Sequence, residues 1–420
     1  MTKTPTLEFH VVVNAAPAEV YLALTRPAAL RQWFCDTALI EPRKRSAVYF
    51  AWNSGYYAAG EVTRLKADSR IVFTWHGRGE PDPTTVAIAI VPEASGSRVT
   101  VRHAGLGNGK KWKTARAAIA RGWERGLENL ASVLADGQDL RYTQRPLLGL
   151  DGYEALTPDV AARLGVPVEH GVWIHGTMPG LAAASAGLEA DDVLVSIAGR
   201  KVDSPRALIT VLDAYRAGDT VALAYYRRAE KRQPALQLAG RFIPQLPGNP
   251  AVLAEMARRH FAQTNAELSQ ALAGLSPAAA SARSATDEWR VPELLAHLLH
   301  HERGNQAWIA ELVADTEGIY TNRAEDSLLR IRATANAFGS VVALFRALQH
   351  NQSETVAMLA ALPDEFVARK RSFWRLALWV AQAENADHAR DHLRQLAVAL
   401  AGAADDGAPD AHISQLLSPP

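Results

Sequence analysis

Cysteine occurs once in 420 residues, so no internal disulfide can form. The single thiol, Cys35, follows Trp33 and Phe34 and reads as a small buried hydrophobe rather than a nucleophile. No run of about 18 apolar residues is present to span a bilayer. An excess of charge is missing too: 45 basic and 44 acidic residues leave a net charge of +1. That excludes a whole-protein field drawing the chain to nucleic acid. The basic stretches Arg43–Arg45 and Arg227-Arg228 are short and read as solvated surface. The first ten residues have no hydrophobic leader pattern, and neither Gly-x-Ser-x-Gly nor a serine-protease triad is evident. The expectation from these absences is a cytoplasmic protein with neither a membrane nor a nucleic-acid partner.

What is present is globular: 48% of residues are hydrophobic and 21% charged. This length exceeds one ordinary core, and the patterning changes twice along the chain, so a multidomain protein is expected. Residues 1–140 open on an alternating strand, with Leu7, Phe9, Val11 and Val13 on one face. A short helix starts near Pro17. Strands follow at Val48–Trp52, Tyr56–Arg64, Arg70–His76, Thr84–Val91 and Arg98–Ala104, and a long amphipathic helix at about Thr114–Ala135. A curved antiparallel sheet wrapped on such a helix leaves a cavity between them. His76 and His103 stand alone in strand patterns and read as structural.

The motifs Trp33-Phe34, Phe73-Thr-Trp75, Val99–Leu106 and Gly122–Leu130, in this order, resemble the SRPBCC (START-like) superfamily. Within it they resemble the branch named after the activator of Hsp90 ATPase. The resemblance implies an α+β helix-grip domain holding a small hydrophobic ligand. Trp33, Phe50, Trp52, Phe73, Trp75 and Trp123 are the candidates to line its cavity. The branch name invites a co-chaperone role by analogy.

Residues 142–240 run from Arg145-Pro-Leu-Leu148-Gly149-Leu150 through Gly171–Ile174, Pro179–Leu188 and Asp191–Val202 to a helix at Ser204–Tyr215 and a strand at Thr220–Arg227. They resemble a PDZ domain of the bacterial protease-associated type, a small β-rich module that pairs an extended protein or peptide C-terminus with a sheet edge. By the motif, Leu148, Gly149 and Leu150 form the nest for the terminal carboxylate. Leu208, Ile209 and Leu212 flank the last side chain. One departure stands out: the usual Gly-Asp before Val193 is Asp191-Asp192 here, a change expected to alter a turn and leave the groove intact.

After a breaker-rich linker with Pro244, Pro247-Gly248 and Pro250, strands cease. Residues 241–403 show helical periodicity over Ala251–Leu275, Pro292–Val313, Asp326–Leu362 and Phe373–Gly402, so an all-α four-helix bundle is expected. Eight of the 13 histidines lie in this last part of the chain. His297 and His301, and again His388 and His392, stand four apart, which puts each pair on one helix face. Neutral imidazoles bind zinc, nickel and iron(II).

Trp289–His297 and Asp387–Leu396 resemble the corresponding motifs of the DinB/YfiT-like family. The resemblance implies His297, His388 and His392 as ligands of a divalent metal, zinc or nickel first and iron(II) as an alternative. It also implies a low-molecular-weight thiol as cosubstrate. His301 is a candidate fourth ligand and Glu384 a partner orienting a ligand from behind. Residues 404–420 read as a loose polar tail.

Two functions stay open at this point. One is a metal-dependent transferase or hydrolase that activates thiol or hydroxide. The other is a non-enzymatic stress-response or protein quality-control binding protein with a structural metal.

Overall fold

The computed structural model describes residues 5–273, 275, 289–317, 327–383 and 392. The chain divides between Ile243 and Pro244 into two compact units.

The first unit begins with β1 (Thr6–Val13), whose alternate residues Leu7, Phe9 and Val11 pack toward the core. Helices α1 (Pro17–Thr25) and α2 (Pro27–Trp33) each carry proline in the first turn, where its missing N–H is no loss. Strands β2 (Thr37–Leu39), β3 (Ala47–Ala51), β4 (Tyr57–Lys66), β5 (Arg70–Gly77), β6 (Thr84–Glu93) and β7 (Gly96–Ala104) follow. They form an antiparallel sheet in the order β1-β7-β6-β5-β4-β3-β2. Helix α3 (Lys110–Asp136) lies against it, burying Trp112, Ile119, Trp123, Leu127 and Leu130, and ends at Gly137 in the left-handed region. The strands expected from alternation are present within two residues at each end; β2 and α2 were not foreseen, being too short to show a period.

The chain then folds back before it leaves this module. Arg141, just after α3, donates to the carbonyls of Cys35 and Arg31 and pairs with the buried Asp139. Asp139 in turn accepts from Asn129 of α3. Cys35 is fully buried, and burial pushes its thiol up to about 12, so it is not poised as a nucleophile.

Next come α4 (Leu140–Thr143), β8 (Tyr153–Ala155), α5 (Pro158–Leu164), β9 (Val172–Ile174), α6 (Ala182–Ser185), β10 (Val193–Ile197), β11 (Arg200–Lys201), α7 (Pro205–Leu212), β12 (Thr220–Arg227), β13 (Glu230–Arg232) and β14 (Ala235–Gln237). The second sheet has the order β13-β12-β10-β9-β8, with β11 beside β10 and β14 beside β12. Its short edge strand β8 is exposed and faces α7 across a groove.

The Asp191-Asp192 pair does more than alter a turn. Asp191 takes the positive φ of 69° that glycine would otherwise supply, and its carboxylate accepts from the Trp173 indole. Asp192 is fully buried, accepts from the Glu189 amide, and meets the Arg227 guanidinium through two contacts of 2.8 Å. Arg227 is therefore a structural cation rather than solvated surface.

The second unit is helical: α8 (Pro250–Ala273), α9 (Val291–Ala314), α10 (Leu328–Phe338), α11 (Val341–Ala360), α12 (Asp364–Val367) and α13 (Lys370–Ala383). The stretch expected as one helix over Asp326–Leu362 is broken. Gly339 adopts a φ of 69°, Ser340 caps the next helix by accepting from the Ala343 amide, and the axes turn by 108°. Helix α11 packs on α8 and α9, and α13 also contacts both.

Two apolar clusters fill this unit, one around Leu268, Leu295 and Leu344, the other around Leu253, Leu312, Leu359 and Leu376. Between them along the helices lies a buried polar layer of Thr264, Glu302, Gln352 and Thr355. The Thr355 hydroxyl donates to Glu302, and burial raises the Glu302 carboxyl above its ordinary range. Among the described residues, no single helix is long and apolar enough to cross a membrane.

Candidate functional site

Three places collect functional side chains. The first is a cavity of about 660 Å³ between the first sheet, α3 and the end of α7. Its aromatic lining is Phe34, Trp52, Tyr56, Trp75 and Trp123. Phe34 stacks on Trp123 with centroids 5.2 Å apart, and Trp52 and Trp75 lie edge-on or tilted against them. Of the six aromatics expected here, Trp52, Trp75 and Trp123 line this cavity. Trp33, Phe50 and Phe73 are sealed in the core, the Trp33 indole donating to the Ala23 carbonyl at 2.9 Å. Trp33 does border a second cleft, of about 430 Å³, beside Asn129 and Arg141.

His103, although fully buried, is tied into this lining. The Trp123 indole N–H donates to Nδ1 at 3.1 Å, which fixes Nδ1 as an acceptor and places the ring proton on Nε2. That proton points at the Thr84 hydroxyl 2.7 Å away, and the hydroxyl donates onward to the Trp75 carbonyl. Burial lowers the imidazole from 6.5 to about 4, and the Glu80 charge offsets this in part. A second proton would have to displace the Trp123 bond.

The unfolded chain therefore takes up a proton at His103 between about 6.5 and 4 that the folded chain refuses. This stabilising contribution is present above that window and is lost as pH falls through it. In a histidine NMR titration the His103 ring is expected to keep its neutral Nε2–H signature until pH nears 4. A midpoint at the ordinary histidine value would contradict the bonding.

The second place is the groove between β8 and α7, a cavity of about 270 Å³. Leu148, Gly149, Leu150, Leu208, Ile209 and Leu212, the six residues expected at a peptide site, all line it. Gly149 has a φ of 78°, and a Cβ there would lie 2.3 Å from the Leu181 Cβ, so only glycine makes this turn. The carbonyls of Leu148 and Gly149 accept from Ala183 and Met178. The amides of Leu148, Gly149 and Leu150 donate to no acceptor among the described residues. Arg145 and Arg241 stand beside this loop, Arg241 over the Tyr142 ring. The α7 wall is clamped from the first module: Arg125 of α3 donates to the carbonyls of Asp213 and Ala214, and Arg216 pairs with Glu128 through both oxygens.

The third place is in the helical unit. His297, buried on α9, lies against His392 with ring centroids 4.9 Å apart and planes at 73°. Trp289 covers both, 4.4 Å from His297 and 5.6 Å from His392. His301 has the Asn305 amide 3.3 Å from its Nδ1. His300 is buried against Thr334 of α10 at 2.9 Å. His388 and Glu384 lie outside the described residues, and no cluster of three metal-ligating side chains is found among the described ones.

With both sheets, the cavity and the groove in view, the family comparisons settle the first unit. The chain carries an AHSA1-like domain followed by a PDZ domain. The family model of the Activator of Hsp90 ATPase homolog 1-like protein matches residues 14–135, and that of the PDZ domain matches residues 162–238.

Curated relatives share part of the chain. The magnetosome formation protease MamE of Paramagnetospirillum magneticum is 36% identical over 107 residues, 25% of this chain and 15% of that protein. The periplasmic pH-dependent serine endoprotease DegQ of Escherichia coli is 29% identical over 103 residues, 24% of this chain and 22% of that protein. The chain thus spans about a quarter or less of the curated relatives it matches. Among solved structures, the Aha1 dimer from Colwellia psychrerythraea is 18% identical, covers 31% of this chain and 96% of its own, and has a TM-score of 0.28.

Phe34, Tyr56 and Glu80 line the AHSA1-like cavity but were not expected there, although Phe34 stands in the Trp33-Phe34 motif. Phe34 adjoins Trp33, and two neighbouring aromatics at a helix end must point apart; the sequence does not say which faces the cavity. Tyr56 and Glu80 meet across two turns, with Tyr56 Oη 2.6 Å from Glu80 Oε1, a pairing 24 residues apart that has no local signal.

Proposed function

We propose that the chain is a non-enzymatic binding protein of the quality-control type. Its PDZ groove captures the C-terminus of a protein, and its AHSA1-like cavity holds a small hydrophobic ligand. One observation carries the first part: three consecutive amides, Leu148 to Leu150, have no protein acceptor at the head of a groove walled by Leu208, Ile209 and Leu212. Buried amides are otherwise paired, and a carboxylate supplies the acceptors such a loop lacks. The aromatic-lined cavity of about 660 Å³ supports the second part, being of the size that small-molecule sites have.

The test is display of a random C-terminal peptide library to the full chain. Selection of an apolar terminal residue, lost when the same peptide is amidated, is the expected result. No selection at the terminal position sinks the proposal.

A second reading is favoured by the contact of His297 with His392 beneath Trp289. In it the helical unit is a DinB-like four-helix bundle, and His297, His388 and His392 hold a zinc or nickel ion, or iron(II). Two imidazoles already in ring contact, with an all-nitrogen donor set, fit such an ion. Bound there, the metal would acidify water or a low-molecular-weight thiol at an open position. With His301 as a fourth ligand, the centre would be closed and structural.

Elemental analysis of protein from metal-replete culture is expected to give about one equivalent of metal per chain in this reading, with loss of most of it in His392→Ala and His297→Ala. Metal-free protein, or metal that both variants retain, excludes it.

A further inference from the structure

We infer that the AHSA1-like cavity takes an amphipathic organic anion, a ring-bearing body with a carboxylate or sulfonate at one end. The inference rests on the cavity being a ligand site and adds the chemistry of the ligand.

Helix α3 presents one face to the cavity at the helical spacing: Lys111, Ala115, Ala118, Arg121, Gly122 and Arg125. The middle of that face is small. A Cβ built on Gly122 meets nothing within 4 Å, so the space above Trp75 and Trp123 is open rather than packed. The ends of the face are cationic. Lys111 and Arg121 are exposed and have no ion-pair partner among the described residues. Arg125 is committed to the carbonyls of Asp213 and Ala214 just after α7, and burial together with the Arg216 and Arg121 charges lowers its pKa from the ordinary value.

Opposing charge is scarce. Of the two carboxylates in the lining, Glu80 already accepts from Tyr56, Trp75 and the Gly77 amide. Burial raises the other, Asp213, above its ordinary value. The cavity thus sets an aromatic floor among four cations, Arg78, Lys111, Arg121 and Arg125, against two carboxylates, an excess of positive charge. A neutral hydrophobe would leave those cations unanswered, whereas an anion on the same ring body would answer them.

Two probes with the same rings separate these cases. They are 8-anilinonaphthalene-1-sulfonate and its uncharged counterpart N-phenyl-1-naphthylamine, titrated against the full chain by fluorescence. The sulfonate is expected to bind more tightly. A Lys111→Gln/Arg121→Gln double variant should weaken it by roughly three- to tenfold, the range of two partly exposed ion pairs, and leave the neutral probe unchanged. Gly122→Phe, whose Cβ would meet nothing within 4 Å, puts a ring into the open space and should abolish both signals.

Equal affinity of the two probes, unaltered by the double variant, overturns the anionic assignment but leaves the cavity as a site for neutral ligands. Sulfonate binding that survives Gly122→Phe overturns the assignment by placing the probe elsewhere. If neither probe binds the parent chain, the cavity reading and this inference fall together.

Discussion

Gly149→Ala is expected to abolish capture of C-terminal peptides. The new Cβ would sit 2.3 Å from the Leu181 Cβ at a φ of 78°, so the loop must move and its three amides lose their common acceptor. A left-handed alanine costs about 1 kcal/mol before the clash is counted. Circular dichroism should show the PDZ sheet retained, because the turn lies outside its strands.

Ile209→Asp separates loop damage from groove chemistry. Ile209 is 40% exposed, so the substitution does not open the core. It replaces an apolar groove wall by a charge near the peptide's last side chain. Covering an isoleucine is worth about 1.5–3 kcal/mol, so affinity should fall at least tenfold while thermal stability is unchanged. Isothermal titration with a selected peptide reads both variants. Unimpaired binding by both would move peptide capture away from this groove.

Arg227→Met is expected to destabilise the PDZ domain by about 3–5 kcal/mol, because it leaves the fully buried Asp192 carboxylate without its counter-ion. The guanidinium meets both Asp192 oxygens at 2.8 Å and the Gly187 carbonyl at 2.7 Å. Asp192→Asn in the same background should recover much of the loss, since an amide keeps the buried site polar but uncharged. Urea unfolding of the single and double variants gives the comparison. Additive losses would show that Arg227 acts through packing on Tyr225 rather than through charge.

The AHSA1-like and PDZ domains were legible because their signals are local and ordered. Strand alternation, the helical stripe through Trp123, Leu127 and Leu130, and the Leu148-Gly149-Leu150 turn each lie within a few residues. The helical unit was legible only as helices. Its break at Gly339 is a single residue in the left-handed region, which a periodic pattern read across it conceals.

By itself the sequence determined the lone thiol and the change from strand-rich to helical segments, since these follow from composition and short-range spacing, while its resemblance to PDZ domains implied the six residues of the groove. Only the tertiary structure decided the rest. Which of Trp33 and Phe34 faces the cavity depends on how α2 meets α3. His103 holds Trp123 across the sheet, and Arg227 neutralises Asp192 from 35 residues away. The same holds for two features of the proposed sites: the cavity wall shared with the PDZ helix, and the meeting of His297 with His392. Each joins residues far apart in the chain, where direction and distance come from packing and leave no mark in local pattern.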